Sequence, residues 1–208
     1  MVRALFVLIV LLGTACGLAE GDRDEDNKHV YLKFYDKAFE ACCLEKFDTN
    51  GDGRISRYEA QRVRRMSCPG RGIESLTDIR EFFNLREFDC SDNGLEQLDL
   101  TACTCLEKLD CSGNALVSLD LDGLRGLVWL DCSGNVLPRL DLHSTVSLLT
   151  LDCRGNALTT LDVTSCDANL KADVRSNPDL TTVYCCAVQN ISFDGPTQLI
   201  AARLRSGF

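Results

Sequence analysis

The sequence predicts an α/β solenoid, a stack of about five 21-residue turns with parallel β-strands, capped at its N-terminal end by a helix pair. Two observations lead to this prediction. Residues 84–187 repeat themselves every 21 residues, and a polar loop with strictly placed oxygen-bearing residues and glycines precedes them. One turn cannot bury its own apolar face, so stacked turns share a core and present a broad repeated surface. Such a surface favours the binding of another molecule over catalysis.

Each regular turn has the pattern L-x-x-L-x-L-x-x-N-x-L of a leucine-rich repeat, with cysteine at the sixth position. The first turn carries it as Leu85, Phe88, Cys90, Asn93 and Leu95, and three more turns follow in register. A second apolar pair completes every turn: Leu98 and Leu100, Leu119 and Leu121, Leu140 and Leu142, and Leu161 and Val163. We expect the repeated asparagines to bond the backbone of adjacent turns where the chain bends.

Residues 48–59 match the twelve-residue pattern of an EF-hand calcium loop. The expected oxygen ligands are Asp48, Asn50, Asp52, the backbone carbonyl of Arg54, Ser56 and Glu59. Gly53 stands at the sharp bend, where a side chain would clash. Three carboxylates in a set of oxygen ligands select Ca²⁺ over transition metals. A polar turn that binds nothing is the alternative.

Helices are predicted on both sides of this loop. Apolar residues recur at helical spacing before it, at Phe39, Cys43 and Phe47. Residues 57–66 continue as a basic helix, and a degenerate turn follows, so the helices are placed to cover the apolar end of the stack. There is no second loop to brace Ile55. We therefore expect an affinity of about 10⁻⁵ to 10⁻³ M and a constitutive structural ion.

The N-terminal residues have the form of a secretion signal. After a short basic start, residues 4–12 are an apolar run that is too short to span a bilayer. The following residues resemble a bacterial lipoprotein processing site, in which Cys16 would be lipidated. Ordinary cleavage near Ala15 or Ala19 is the alternative. Residues 20–28 are charged and are predicted to form a solvated tether.

The charge balance limits the partners that this chain can bind. The net charge is −9, from 31 acidic and 22 basic side chains. Nucleic acid and anionic lipid would be repelled, whereas cations and basic protein surfaces would be attracted. Membrane association is expected only through a lipid anchor at Cys16, and the sequence indicates no oligomeric state.

The 13 cysteines would normally suggest a disulfide scaffold in an exported chain. Four of them occupy one inward repeat position, with Cys68 a fifth: Cys90, Cys111, Cys132 and Cys153. Since a buried thiol packs as a small apolar group, we expect a ladder of free thiols. Disulfides or a metal site are the alternatives.

One column of aspartates is predicted on the concave face of the sheet: Asp89, Asp110, Asp131, Asp152 and Asp173. At a strand spacing of about 4.8 Å, each neighbouring pair repels by about 1 kcal/mol in water. A basic partner would relieve this repulsion, and a solubilising face is the alternative. Trp129, the only tryptophan, falls in an adjacent column, either as an interface anchor or buried against a neighbour.

Together, the signal, the single Asp-Thr-Asn-Gly-Asp-Gly loop and the Leu-Asp-Cys-Ser-x-Asn repeats resemble secreted or surface-anchored leucine-rich repeat proteins of Bacteroidetes-type bacteria. The resemblance covers about residues 30–187 and implies an interaction module. The predicted segments are a signal (1–19), the tether (20–28), an EF-hand-like cap (29–67), the repeats (68–187) and a C-terminal cap (188–208).

The function predicted from these features is a secreted or surface-anchored protein that binds a protein ligand on its concave face, with Ca²⁺ stabilising the cap. The alternative is a calcium-responsive structural or sensor protein in which ion binding is itself the function. An enzyme is not expected, because the sequence has no nucleophile motif, phosphate loop or metal triad. His29 and His143 lie far apart and have no patterned acidic or nucleophilic partner.

Overall fold

The computed structural model describes residues 27–201. The predicted signal, its lipidation site at Cys16 and most of the tether lie outside the described residues. Two helices, α1 (Lys37–Phe47) and α2 (Arg57–Arg62), begin this part of the chain. No helix within residues 27–201 has the length and apolar character needed to cross a bilayer.

The second helix is shorter than the sequence predicts. We expected it over residues 57–66, but α2 ends at Arg62, and Arg65–Ser67 forms the first strand. Met66 pairs there with Phe88 of the next turn and is only 3% exposed. Stacking on the solenoid therefore determines the conformation of these residues, over the helical preference of the basic segment.

Seven short strands form one fully parallel sheet. They are β1 (Arg65–Ser67), β2 (Glu87–Asp89), β3 (Lys108–Asp110), β4 (Trp129–Asp131), β5 (Thr150–Asp152), β7 (Lys171–Asp173) and β9 (Asn190–Ser192). Leu109, Leu130 and Leu151 pair in register and are buried, so equivalent residues of successive turns lie one above another. The predicted solenoid of parallel strands is confirmed.

A second parallel sheet contains β6 (Thr160–Asp162), β8 (Thr182–Cys185) and β10 (Gln198–Ala201). Residues 190–201 thus add a strand to each sheet, although the repeat pattern does not extend to them. The backbone is sufficient for this pairing, because Asn190 donates its N–H to the carbonyl of Leu170 at 2.9 Å. The stack consequently has about six turns, one more than the repeat pattern predicts.

The asparagines form a buried ladder that ties the turns together. The amide of Asn135 donates to the carbonyls of Cys111 and Cys132 at 3.0 Å and of Ser133 at 3.3 Å. Its Oδ1 accepts the N–H of Leu116 at 3.0 Å. Asn93, Asn114, Asn156 and Asn177 make equivalent bonds. The predicted structural role of this column is confirmed.

The helices α1 and α2 pack against the first turn of the solenoid. Phe39 of α1 is fully buried, with its ring centroid 5.9 Å from that of Phe82. The carboxylate of Asp36, which caps α1, also accepts the N–H groups of Glu74 and Ser75 at 2.8 and 3.0 Å. The apolar end of the stack is therefore covered, and the start of α1 is bonded to the turn that it covers.

Candidate functional site

The strand register aligns two columns of side chains along the concave face. The first contains Arg65, Glu87, Lys108, Trp129, Thr150, Lys171 and Asn190. The second contains Ser67, followed by the five predicted aspartates Asp89, Asp110, Asp131, Asp152 and Asp173, and then Ser192. All five aspartates are half-buried, as is Trp129. The structure therefore brings the sequence-predicted surface residues together in adjacent columns.

Each aspartate of the second column also holds the turn that follows its strand. Asp110 Oδ1 accepts the N–H of Ser112 at 3.1 Å, and Asp131 Oδ1 accepts that of Ser133 at 2.9 Å. The same bond recurs at Asp89, Asp152 and Asp173. One oxygen of each carboxylate thus serves the backbone, as an Asx turn does. The turn needs an acceptor oxygen at this position, but it does not need the negative charge of a carboxylate.

Within residues 27–201, arginines compensate the negative charge of the column at its C-terminal end. Arg154 contacts Asp152 at 2.7 Å, and Arg175 contacts Asp173 at 2.5 Å. The Arg175 guanidinium holds the pKa of Asp173 below its usual value. Asp89, Asp110 and Asp131 have a serine at the position that these arginines occupy in the later turns.

Asp131 is correspondingly less favourable as an anion. Burial raises its pKa, and the charges of Asp152 and Asp110 raise it further, against the opposing hydrogen bonds from Ser133. A cation bound beside Asp131 would offset both the desolvation of its carboxylate and the repulsion by the neighbouring aspartates. Asp110 and Asp131 are therefore the part of the column best suited to a positively charged ligand.

A groove of about 630 Å³ lies at the N-terminal part of the concave face, beside Asp89 and Asp110. It is lined by Lys46 and Phe47 from the end of α1 and by residues of the first four strands, including Asp110 and Trp129. Lys46 donates a hydrogen bond to the carbonyl of Ser67, and Arg65 pairs with Glu87 at 3.1 Å across the strands. Phe47 directly precedes the predicted calcium loop in sequence, and no residue of that loop lines the groove.

A second column of aspartates, which was not predicted from the sequence, lies between the two residues of the second apolar pair in each turn. It contains Asp99, Asp120, Asp141 and Asp162, all exposed. Asp120 accepts the N–H of Asp122 at 2.9 Å, which is again an Asx turn. The regular Leu-Asp-Leu spacing could have revealed this column. Because it lies outside the seven-stranded sheet, it is an internal comparison for the concave aspartates.

The predicted calcium loop is closed in the structure. Asp48 Oδ2 accepts the N–H of Gly53 at 2.9 Å, and Glu59 Oε1 accepts the N–H of Thr49 at 2.8 Å, so the two ends of the loop meet. Gly51 and Gly53 have φ angles of 72° and 76°, which favour glycine. Burial pushes the pKa of Glu59 up, but hydrogen bonds from Ser56 and Thr49 outweigh it and lower the pKa overall.

Ile55 has a backbone partner that the sequence did not reveal. Its carbonyl accepts the N–H of Leu32 at 2.8 Å, and Arg57 donates to the carbonyl of Val30 at 2.7 Å. The segment before α1 therefore pairs with the predicted calcium loop. This pairing is not local in sequence, and no repeat signals it.

The predicted ligands Asp48, Asn50, Asp52, Ser56 and Glu59 already have hydrogen-bond roles within this segment. Asp52 Oδ1 accepts the N–H of Arg54 at 2.9 Å, and both oxygens of Glu59 are engaged by Ser56 and Thr49. Within residues 27–201, no three His, Cys, Asp or Glu side chains are gathered as a metal site. The donor set suits a hard cation in its chemistry, and it uses amide, hydroxyl and carbonyl oxygens as well as carboxylates.

Comparison with known proteins agrees with the repeat geometry. A family model described as leucine-rich repeats, in two copies, matches residues 83–126, which span β2 and β3. The chain has the leucine-rich repeat fold. Curated proteins include no match to it.

Two solved structures are similar to this leucine-rich repeat protein. The functional domain of InlJ from Listeria monocytogenes, described as including a cysteine ladder, is 28% identical with a TM-score of 0.65. The match covers 76% of this chain and 37% of that one. An internalin, InlF, from Listeria monocytogenes is 16% identical with a TM-score of 0.55, over 76% of this chain and 58% of that one. This chain thus spans less than two thirds of either structure.

This leucine-rich repeat protein also has a cysteine ladder. The five predicted cysteines are buried free thiols: Cys68, Cys90, Cys111, Cys132 and Cys153. The thiols of Cys90 and Cys111 each donate to a carbonyl of the next turn, at 3.5 Å. Burial raises the pKa of Cys111 far above its usual value, so this thiol stays protonated. The predicted packing role is confirmed for these residues.

His143 has polar neighbours in the structure, although no sequence pattern pairs it with an acidic or nucleophilic residue. Its Nδ1 lies 2.9 Å from Asp141, and its Nε2 lies 3.1 Å from the hydroxyl of Ser144. The three residues are neighbours in sequence, and the turn brings them together. Ser144, however, donates its proton to Asp122 at 2.6 Å, so its hydroxyl is not oriented as a nucleophile activated by His143.

Proposed function

We propose that this leucine-rich repeat protein is a non-enzymatic interaction module that binds a basic protein surface on its concave face. The observation that carries the proposal is the position of Trp129 beside Asp110 and Asp131, which no arginine among the described residues compensates. Aromatic rings and carboxylates together bind guanidinium and ammonium groups, by cation–π contact and by charge-assisted hydrogen bonds. Tryptophan is also enriched among the residues that dominate binding energies.

The groove gives this surface a shape that a side chain can enter. Its Phe47 and Trp129 offer apolar contact for the stem of an arginine or lysine, and Asp110 offers an acceptor for its charged end. Long basic side chains combine these two properties. The rest of the concave face would provide complementarity around this contact.

A charge-matched pair of double variants tests the proposal. The probe is an acetylated tetra-arginine peptide without tryptophan, and the signal is the fluorescence of Trp129, the only tryptophan of the chain. We expect Asp110→Asn/Asp131→Asn to weaken binding by about tenfold, which corresponds to about 1.4 kcal/mol. Asparagine keeps the Oδ1 acceptor for the Asx turn, so the fold is preserved.

The control is Asp120→Asn/Asp141→Asn, which removes the same charge from the second column. We expect this variant to bind the peptide as the wild-type chain does. Equal weakening by both double variants would mean that only the net charge attracts the peptide. That outcome would refute a defined site on the concave face.

We further propose that residues 48–59 bind one Ca²⁺ and that the ion stabilises the helix pair on the first turn. The support is the loop's oxygen-rich chemistry, its two glycines at positive φ, and its closure by Glu59. Ca²⁺ would have to take over the oxygens of Glu59 that now accept bonds from Ser56 and Thr49. This exchange favours the weaker end of the affinity range.

Thermal melting with calcium or a chelator tests the ion. With 1 mM Ca²⁺ and a Kd of about 10⁻⁴ M, we expect about 1.4 kcal/mol of stabilisation and a rise of about 3–5 °C. Asp52→Asn keeps the acceptor for Arg54 but loses the charge, so it should reduce this rise. Asp120→Asn, away from the loop, should leave the rise unchanged. Identical melting with calcium and chelator would refute the ion's role.

A calcium sensor would behave differently from a protein that holds a structural ion. Solution scattering of the folded chain should be the same with and without calcium, because the helix pair is already docked on the first turn. A large change in shape would favour the sensor.

We also propose export, on the basis of the signal in residues 1–19. Mass spectrometry of the N-terminus from the native host would distinguish a lipidated Cys16, simple cleavage and an unprocessed chain.

A further inference from the structure

Two free cysteines lie side by side where α1 packs against the first turn. Cys42, on α1, is 1% exposed, and Cys68, directly after β1, is fully buried. A hydrogen bond between the two side chains is the first cause of the pKa shift of each thiol. Cys42 Sγ also lies 3.9 Å from the carbonyl oxygen of Ser67, the neighbour of Cys68. Elements that are far apart in sequence therefore bring these two buried cysteines together where α1 packs on the first turn.

Cys42 differs chemically from the thiols of the ladder. Its hydrogen bond with Cys68, together with the positive charges of Lys46 and Arg71, lowers its pKa to about 7 despite burial. Burial instead raises the pKa of Cys43, the next residue of the same helix, and of ladder cysteines such as Cys111. The thiolate is the form that attacks a disulfide, so Cys42 is the more reactive sulfur near the ladder.

We propose that Cys42 and Cys68 are a disulfide-forming pair that links α1 covalently to the first turn when the chain folds in the presence of oxidised glutathione. The Cys42 thiolate attacks one glutathione sulfur and releases glutathione thiolate, which takes the proton of Cys68. The Cys68 thiolate then attacks Cys42 Sγ and expels the second glutathione. The two cysteines are oxidised, and one glutathione disulfide is reduced to two thiols.

The bond would enclose the whole loop of residues 48–59 together with α2. Closing a loop of this size restricts the unfolded chain more than the folded one, because the two sulfurs are already adjacent in the folded state. The oxidised form should therefore keep its helix pair docked at higher temperature. We expect its melting temperature to exceed that of the reduced form by about 5–10 °C.

Peptide mapping of the full-length wild-type chain tests the pair. The chain is refolded in reduced and oxidised glutathione, its free thiols are alkylated, and it is digested without reductant. We expect a linked peptide that contains Cys42 and Cys68, while Cys43 and the ladder cysteine Cys111 are alkylated. Because the mapping needs no substitution, it remains decisive if a variant fails to fold.

Variants give the matched control. Cys42→Ala should abolish both the linked peptide and the difference in melting temperature, whereas Cys43→Ala, one residue away, should keep both. The proposal is overturned if the natively folded wild-type chain yields Cys42 and Cys68 as alkylated free thiols. It is equally overturned if Cys42 is found linked to a different cysteine. Neither result depends on whether the concave face or the calcium loop binds anything.

Discussion

Replacement of one buried asparagine should cost this fold a large part of its stability. In Asn135→Ala, three hydrogen bonds donated to carbonyls are lost, together with the bond that Oδ1 accepts from Leu116. The lost bonds contribute about 1 kcal/mol each, and an orphaned buried N–H adds about 1–3 kcal/mol. Partial relaxation reduces the total, so we expect a loss of about 4 kcal/mol. The total free energy of unfolding of a natural domain is only about 5–15 kcal/mol.

Urea denaturation followed by circular dichroism measures this loss. Asn135→Asp is the sharper variant, because it keeps the acceptor for Leu116 but faces a carboxylate toward three carbonyl oxygens. We expect it to be at least as destabilising at neutral pH, with partial recovery in acid as the carboxyl group is protonated. Asn190→Ala, at an exposed position of β9, is the control and should change stability by less than about 0.5 kcal/mol. A loss below about 1 kcal/mol in Asn135→Ala would refute the reasoning.

Two further predictions concern the core and the concave charges. Leu130→Ala, at a fully buried position, should lower the free energy of unfolding by about 2–5 kcal/mol in urea denaturation. Val136→Ala, at a position that is 52% exposed, should lower it very little. Similar losses in the two variants would contradict the stacking. Asp131 has a raised pKa, so its ionisation destabilises the fold as pH rises, and Asp131→Asn should melt higher than wild type at neutral pH. Asp173 has a lowered pKa, so the stability that it contributes at neutral pH is lost in acid, and Asp173→Asn should melt lower at neutral pH and converge with wild type in acid. The opposite order of these two melting temperatures would contradict the assigned charge environment.

The repeats were predictable from sequence because each turn faces the same environment as its neighbours. A fixed period places Leu109, Leu130 and Leu151 at one inward position, and the strand register follows from it. The asparagine and cysteine ladders follow for the same reason. One local pattern, repeated, specifies both the core and the columns on the concave face.

The features that sequence reasoning missed depend on contacts between unlike segments. The partner of Ile55 is the segment from Val30 to Leu32, which has no motif of its own. Residues 190–201 join both sheets through backbone bonds, for which the leucine pattern is not required. The groove is lined by both Phe47 and Trp129, although 81 residues lie between them in the sequence. Only the packing of α1 on the first turn brings them into one surface.

The central claim is that the concave sheet around Trp129 is the binding face, and hydrogen–deuterium exchange with the tetra-arginine peptide tests it most directly. The account predicts slower exchange on peptide binding in β3 and β4, and unchanged exchange in the exposed segments around Asp120 and Asp141. Slower exchange in those segments, with none in β3 and β4, would contradict it.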